Sequence, residues 1–156
     1  MPTHQERRVL PYSAERMYAI VADVEKYPEF VPGCAALRIR ERRNEGGVEI
    51  LTAEMVVSYR GLRERYTSLV RTDPIAGTVT ATQVEGPFAT MQTQWRLSPL
   101  ENGCEIHFQI EFAFRSRLLS AMAGTAFESM ARKMTDAFVT RAGAMEKSSY
   151  APQHQA

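Results

Sequence analysis

Apolar and polar side chains alternate from Cys104 to Phe114, which puts the apolar ones on one face of the segment and the polar ones on the other. This alternation predicts a β-strand with one buried face. From Leu119 to Met145, apolar residues recur about every 3.6 positions and predict an amphipathic helix near the end of the chain. The members of this helical stripe are Leu119, Met122, Ala123, Ala126, Phe127, Met130, Met134, Ala137, Phe138 and Met145. A curved sheet that wraps around one long helix is therefore the expected architecture.

Turn-forming residues divide the rest of the chain into two short helices and further strands. Ser13 is placed to cap a helix over 14–22, and a second short helix follows over 24–30. Strands are expected at 4–10, 37–43, 48–59, 62–72, 78–84, 90–97 and 104–114. The element order β-α-α-β6-α predicts an α+β fold with one domain over 1–146 and a polar, flexible tail over 147–156.

Composition narrows the class of protein. The chain has 156 residues, enough to bury a core without disulfides or metals, and its net charge of +1 gives no global field that would attract DNA. Cys34 and Cys104 are the only cysteines, and their positions predict free thiols and neither a metal nor a cofactor. No segment has the length or apolarity of a membrane span or signal peptide. We expect a cytoplasmic protein, at most peripheral to the inner membrane.

The inward face of the sheet is the candidate site. The commoner fate of such apolar residues is a packed core. Two features favour an opening for a ligand instead. The helix is rich in methionine, which suits a deformable wall. The inward parity also carries the polar residues Glu64 and Ser68, which a dry core would have to pair internally.

One segment carries a resemblance to a known family. DVEKYPEFVPGC, from Asp23 to Cys34, resembles the signature of the coenzyme Q-binding COQ10 family, within the START-like, polyketide cyclase-like superfamily. Similar to the later blocks of that family are RGLRERYTSLV at 60–70, GPF at 86–88, Trp95, IHFQIEFAF at 106–114 and AFESMARKMTDAF at 126–138. The resemblance thus extends over almost the whole chain.

This resemblance implies a helix-grip fold, in which a sheet curled around the C-terminal helix encloses a hydrophobic tunnel. It also implies binding of ubiquinone or a related polyprenyl lipid. The same pattern is shared by bacterial RatA-like proteins, described as ribosome-association toxins that bind the large subunit and block subunit joining. Eukaryotic relatives carry a mitochondrial presequence, and the start MPTHQERRVL has none, so a bacterial member is expected.

Strand parity and the helix stripe select the candidate ligand-binding residues. They are Met55, Val57, Glu64, Tyr66, Val70, Trp95, Phe108, Ile110, Phe112, Phe127, Met130 and Met134. Aromatic and apolar residues in Pro-rich connections predict a mouth formed by Tyr27, Phe30, Val31 and Phe88, with anchoring of the short helices as the alternative role. Glu64 and Lys133 match family blocks, and their role stays open.

Catalytic groups are scarce on the expected inward face. His4 and His154 lie near the termini, His107 has the outward parity of its strand, and Glu64 stands alone. We therefore predict no enzymatic activity.

A second surface is predicted on the outward face of the sheet. Arginines of outward parity occur on two strands, at Arg38, Arg40, Arg42, Arg63, Arg65 and Arg71. Such a basic strip fits rRNA phosphates or anionic lipid heads, although a solvated face paired with neighbouring glutamates is the commoner case.

The predicted function is binding and carrying of ubiquinone or a similar isoprenoid quinone, without chemistry on the ligand, in support of respiratory electron transport. Its partners would be the lipid and, peripherally, the membrane or respiratory-chain components. The alternative is association with the large ribosomal subunit.

Overall fold

The computed structural model describes residues 3–59, 61–117 and 127–154. Its strands are β1 (Thr3–Leu10), β2 (Cys34–Glu45), β3 (Val48–Tyr59), β4 (Leu62–Asp73), β5 (Thr78–Glu85), β6 (Phe88–Leu100) and β7 (Gly103–Phe114). Its helices are α1 (Ala14–Ala22), a 3₁₀ helix (Val24–Glu29) and α2 (Phe127–His154). The predicted order β-α-α-β6-α is confirmed.

All seven strands form one antiparallel sheet in the order β1-β7-β6-β5-β4-β3-β2. Strands β2 to β7 follow one another as hairpins, and the first strand joins the far edge beside β7. The two edges of the sheet are therefore β1 and β2. This α+β architecture, a sheet with a long C-terminal helix, confirms the predicted fold class.

The two short helices form where the sequence predicts them. The Ser13 hydroxyl accepts a hydrogen bond from the Arg16 backbone N–H at 3.1 Å, which is the expected N-cap. The second helix is a 3₁₀ helix with Pro28 inside it. A proline removes one backbone donor, so a short, tight helix is the form that this segment can sustain.

Helix α2 turns its buried residues toward the sheet. Ala131, Phe138 and Ala142 are almost completely buried and share one stripe. Of these, only Phe138 belongs to the predicted stripe. Met130 and Met134 are half-buried and Met145 is exposed, so the buried face is rotated from the predicted one. The earlier stripe positions from Leu119 to Ala126 lie outside the described residues, as does the Phe127 side chain. No helix among the residues that the structure describes is long and apolar enough to cross a membrane.

The helix continues to His154, into the segment 147–156 that the sequence assigns to a flexible tail. Helical backbone geometry does not test mobility, so the division into a domain and a tail stays a prediction.

Candidate functional site

Part of the concave face is covered by a cluster of packed aromatic rings. The rings of Trp95 and Phe108 stack at 4.3 Å between centroids, and Phe138 of α2 lies 4.7 Å from Trp95. Tyr27 and Phe30 pack edge-on against Phe138 at 5.2 and 5.0 Å. These contacts are made among protein side chains, so this cluster joins α2 and the 3₁₀ helix to the sheet.

Tyr27 and Phe30, two predicted mouth residues, thus pack against side chains of the protein. The Tyr27 hydroxyl also donates a 2.5 Å hydrogen bond to the Val21 carbonyl. Arg141 of α2 lies 4.9 Å from the Phe30 ring centre and pairs with Glu29 at 2.8 Å. The contacts of Tyr27 and Phe30 are those expected for anchoring the 3₁₀ helix, and a mouth here stays a prediction.

Other apolar residues of β2, β3 and α2 pack against this core but stay only half-buried. They are Leu37, Ile39, Met55, Val57, Met130 and Met134, and we refer to this set as the apolar groove. Strand pairing places Leu37 beside Met55, and Met55 beside Tyr66, on the same face. These apolar side chains are therefore not fully covered by the rest of the protein.

Helix geometry explains why Met130 and Met134 are half-buried. Asp136 lies on the flank of α2 that faces β1, where it pairs with Arg8. At about 100° per residue, Met130, Met134 and Arg141 fall on the other flank. Because Arg141 contacts the 3₁₀ helix, this flank is directed toward that side of the sheet.

The remaining predicted ligand-binding residues differ in burial. Val70, Ile110 and Phe112 are at most 5% exposed and belong to the core cluster. Glu64 is half-buried opposite Val57 at the end of the groove strands.

Phe88 is fixed by the side chain of Gln83, which reaches across the turn from the end of β5. The Gln83 side chain donates to the Phe88 carbonyl at 2.8 Å and accepts from the Phe88 N–H at 3.2 Å. The Phe88 ring then lies edge-on to Tyr66 and Phe112, at 5.5 and 5.9 Å. Phe88, a predicted mouth residue, is buried in this position.

A β-bulge corrects the predicted basic strip. Arg38 and Arg40 lie on the outward face, each 3.5 Å from a carboxylate oxygen of Glu54. The register shifts between Ile39 and Glu41, which turns Arg42 to the opposite face. The prediction that Arg42 shares the outward parity of Arg38 and Arg40 is wrong.

Arg42 instead pairs with Glu25 of the 3₁₀ helix and lies 3.6 Å from Glu49. These residues line a surface depression of about 210 Å³ beside α1. Arg63, Arg65 and Arg71 of β4 are exposed on the outward face, as predicted.

The sequence pattern does not predict a polar cluster that the structure shows between β1 and α2. Glu6 accepts hydrogen bonds from Thr135 at 2.6 Å and from Arg8 at 3.0 Å, and His4 lies 3.3 Å from it. Arg8 also pairs with Asp136 at 2.6 Å. His4 is buried on the inward face and is not a loose terminal residue. Both parities of β1 are largely polar, so alternation gave no signal; only its register beside β7 reveals the cluster.

Burial and hydrogen bonding set the ionisation of this cluster and of the groove. Burial alone would disfavour a charged Glu6, but hydrogen bonds from Thr135, Arg8 and His4 and the Arg8 charge outweigh it and lower the pKa of Glu6. Burial raises the pKa of the Cys34 thiol to about 11 and raises that of Tyr66 further. Both groups therefore stay protonated at neutral pH.

Comparison with protein families gives a match over most of the chain. Residues 10–139 match the family described as polyketide cyclase / dehydrase and lipid transport. The ribosome association toxin RatA of Escherichia coli K12 is 34% identical over 143 residues, which cover 91% of this chain and 87% of that protein. The mitochondrial coenzyme Q-binding protein COQ10 homolog B of Xenopus laevis is 34% identical over 145 residues, 90% of this chain and 57% of that protein.

Solved structures agree in fold. The 18 kDa protein CC1736 of Caulobacter crescentus superimposes with a TM-score of 0.80 at 34% identity, covering 94% of this chain and 99% of that one. The Zhui aromatase/cyclase of a Streptomyces species has a TM-score of 0.77 at 18% identity, covering 91% of this chain and 93% of that one, a likeness of fold alone.

Proposed function

Because the chain belongs to the polyketide cyclase / dehydrase and lipid transport family, we propose that it binds ubiquinone or a similar polyprenyl lipid in the apolar groove and carries it unchanged, in support of respiratory electron transport. The observation that carries this proposal is the half-buried apolar wall shared by β2, β3 and α2. The similarity of the chain to a coenzyme Q-binding protein supports the same ligand class.

The groove chemistry suits a polyprenyl tail. Each isoprene unit takes about five carbon atoms out of water, at ~0.8 kcal/mol per methylene-sized group. A few units therefore offset the entropy cost of association. Met55, Met130 and Met134 are unbranched and adaptable, which suits a flexible guest.

A carrier role without catalysis is part of the proposal. The Cys34 thiol is buried and protonated, which makes it a poor nucleophile. His4 and Glu6 are engaged in holding α2 to β1. The two relatives of 34% identity, RatA and the COQ10 homolog, are named as a toxin and a binding protein.

The first experiment compares two adjacent valines on opposite faces of β3. Val57 lies in the groove opposite Glu64, and Val56 lies outward opposite Arg65; both are half-buried. Val57→Lys and Val56→Glu each place a new charge across from an opposite one, so their effects on folding are comparable.

Each protein is purified natively from a quinone-producing host, and its extracted lipids are identified by mass spectrometry. We expect a stoichiometric quinone in the wild type and in Val56→Glu, and its loss in Val57→Lys. A wild type that is empty and refuses added quinone contradicts the carrier proposal.

Association with the large ribosomal subunit is the second candidate. It is favoured by the similarity to RatA over 91% of the chain and by the exposed arginines Arg63, Arg65 and Arg71. Exposed cations on a β-strand suit phosphate contacts, whose strength falls as salt rises.

A charge-matched pair of variants tests this candidate. Arg63→Glu/Arg65→Glu reverses two charges on β4, and Arg132→Glu/Lys133→Glu reverses two exposed charges on α2. If β4 binds rRNA, only the first variant loses cosedimentation with large subunits. Equal cosedimentation of both variants with the wild type contradicts the use of this surface.

A further inference from the structure

The hydroxyl group of Tyr66 is a buried donor beside the apolar groove, next to Met55. Tyr66 lies on the inward face of β4, directly opposite Met55, and its side chain is only 7% exposed. In the part of the chain that the structure describes, the sole acceptor within hydrogen-bond distance of this hydroxyl is the Met55 Sδ atom, at 3.2 Å.

A thioether is a weak acceptor for such a donor. Buried tyrosine hydroxyls usually reach an oxygen, because an unsatisfied donor costs free energy. Tyr27 follows that rule, since its hydroxyl donates to the Val21 carbonyl at 2.5 Å. The Tyr66 hydroxyl thus keeps much of its capacity to bond an oxygen acceptor.

The surrounding structure holds the Tyr66 ring in place. Phe88 packs edge-on against the ring at 5.5 Å, and Gln83 fixes the Phe88 backbone through two hydrogen bonds. The backbone at Gly86 approaches so closely that a Cβ there would lie 2.5 Å from the Tyr66 Cβ. A fixed ring presents its hydroxyl at little further entropy cost on binding.

Met55 is the more exposed partner of this pair. Its side chain is half-buried, and methionine has three rotatable bonds. A different Met55 rotamer would free the hydroxyl for another acceptor without moving the ring. Because burial raises the Tyr66 pKa, the hydroxyl carries its proton at neutral pH and acts as a donor.

We propose that the Tyr66 hydroxyl donates a hydrogen bond to a carbonyl oxygen on the head group of the bound lipid, in place of Met55 Sδ. The site then selects lipids whose head group carries a ketone or quinone carbonyl over hydrocarbons with the same tail. This inference rests on the proposed lipid-binding function and adds the residue that recognises the head group.

The test uses decylubiquinone and decylbenzene, two probes with the same tail and a ring that does or does not carry carbonyl oxygens. Affinities are measured by calorimetry for the wild type and Tyr66→Phe. We expect the substitution to weaken decylubiquinone binding about tenfold, the equivalent of one hydrogen bond, and to leave decylbenzene binding unchanged.

Two control variants separate recognition from structure. Tyr18→Phe removes a hydroxyl that bonds Thr72 within the protein, so it should leave the ratio of the two affinities unchanged. Met55→Leu removes the competing sulfur, so the preference for decylubiquinone should be kept or increased.

The outcomes distinguish lipid binding itself from recognition of the head group by Tyr66. If the wild type binds neither probe, the lipid-binding function fails and this inference with it. If both probes bind but Tyr66→Phe weakens them equally, or weakens neither, head-group recognition by Tyr66 is overturned and lipid binding stands.

Discussion

At the scale of single residues, the groove depends on side chains whose positions are set by close backbone contacts. Gly86 allows the turn before β6 to lie against Tyr66 and Gln83, and Gln83 in turn orients Phe88. Met55 and Val57 face the groove, while Val56 faces outward, because successive strand residues alternate between faces. Single substitutions therefore separate the two surfaces of the sheet.

Gly86→Ala should destabilise the protein by about 1–3 kcal/mol, because the added Cβ would lie 2.4 Å from Gln83 Oε1 and 2.5 Å from Tyr66 Cβ. Urea unfolding measures the change. Gly61→Ala is the control, since a Cβ at Gly61 meets open space and bears only the cost of a left-handed backbone, about 1 kcal/mol. Equal losses for the two variants would contradict the close contact.

At the scale of elements, α2 is held to the sheet at two places. Phe138 inserts between Trp95 and the aromatic residues of the 3₁₀ helix. On the opposite flank, Thr135 and Asp136 bond Glu6 and Arg8 of β1. The helix is therefore held on two flanks, by the aromatic cluster and by the edge strand β1.

Phe138→Ala should cost about 3–5 kcal/mol of folding free energy, because Phe138 is 1% exposed and contacts three rings. Thr140→Ala on the exposed face of the same helix should change stability little. Denaturant titration of both proteins checks the difference, and a small loss in Phe138→Ala would contradict the anchoring role of this ring.

The β1–α2 cluster should make stability depend on pH. The folded-state pKa of Glu6 is lowered, so its contribution is present above the ordinary glutamate value and is lost as pH falls through the folded value. We expect urea midpoints measured from about pH 6 to about pH 3 to fall more steeply in the wild type than in Glu6→Gln.

Glu105→Gln is the control for that comparison. Glu105 lies on the outward side of β7 and pairs with exposed Arg7 at 3.6 Å, a surface pair of little expected energy. Its pH profile should follow that of the wild type. A Glu6→Gln profile identical to that of the wild type would show that Thr135, Arg8 and His4 do not stabilise the charged carboxylate.

At the scale of the whole molecule, a ligand that binds only the folded protein should stabilise it. Decylubiquinone at about 100 times its Kd should add about 2.7 kcal/mol to the free energy of unfolding. For a chain of 156 residues this corresponds to a rise in Tm of about 5–10 °C. Thermal scans with and without the probe measure it, and Val57→Lys should show no rise.

Much of the element pattern follows from local sequence. Strict alternation in β7, the Ser13 cap and the helical period of α2 all act within a few residues, so a single sequence contains their cause. The seven strands and their positions along the chain were predictable for the same reason. The inward parity of Met55, Val57 and Tyr66 was predictable too, since alternation continues until a bulge interrupts it.

Tertiary structure alone decided the features that depend on register and packing. One extra residue near Arg40 turns Arg42 inward, and no local pattern reveals such a bulge. The pairing of β1 with β7 brings Glu6 to Thr135 across 129 positions of sequence, although β1 has no clear apolar face. Whether an inward apolar residue fills the core, as Phe108 does, or lines the groove, as Met55 does, depends on where α2 lies over the sheet. Local sequence thus determines which elements form and which faces are apolar. Only long-range packing determines which part of the apolar face is fully buried and which part stays half-buried.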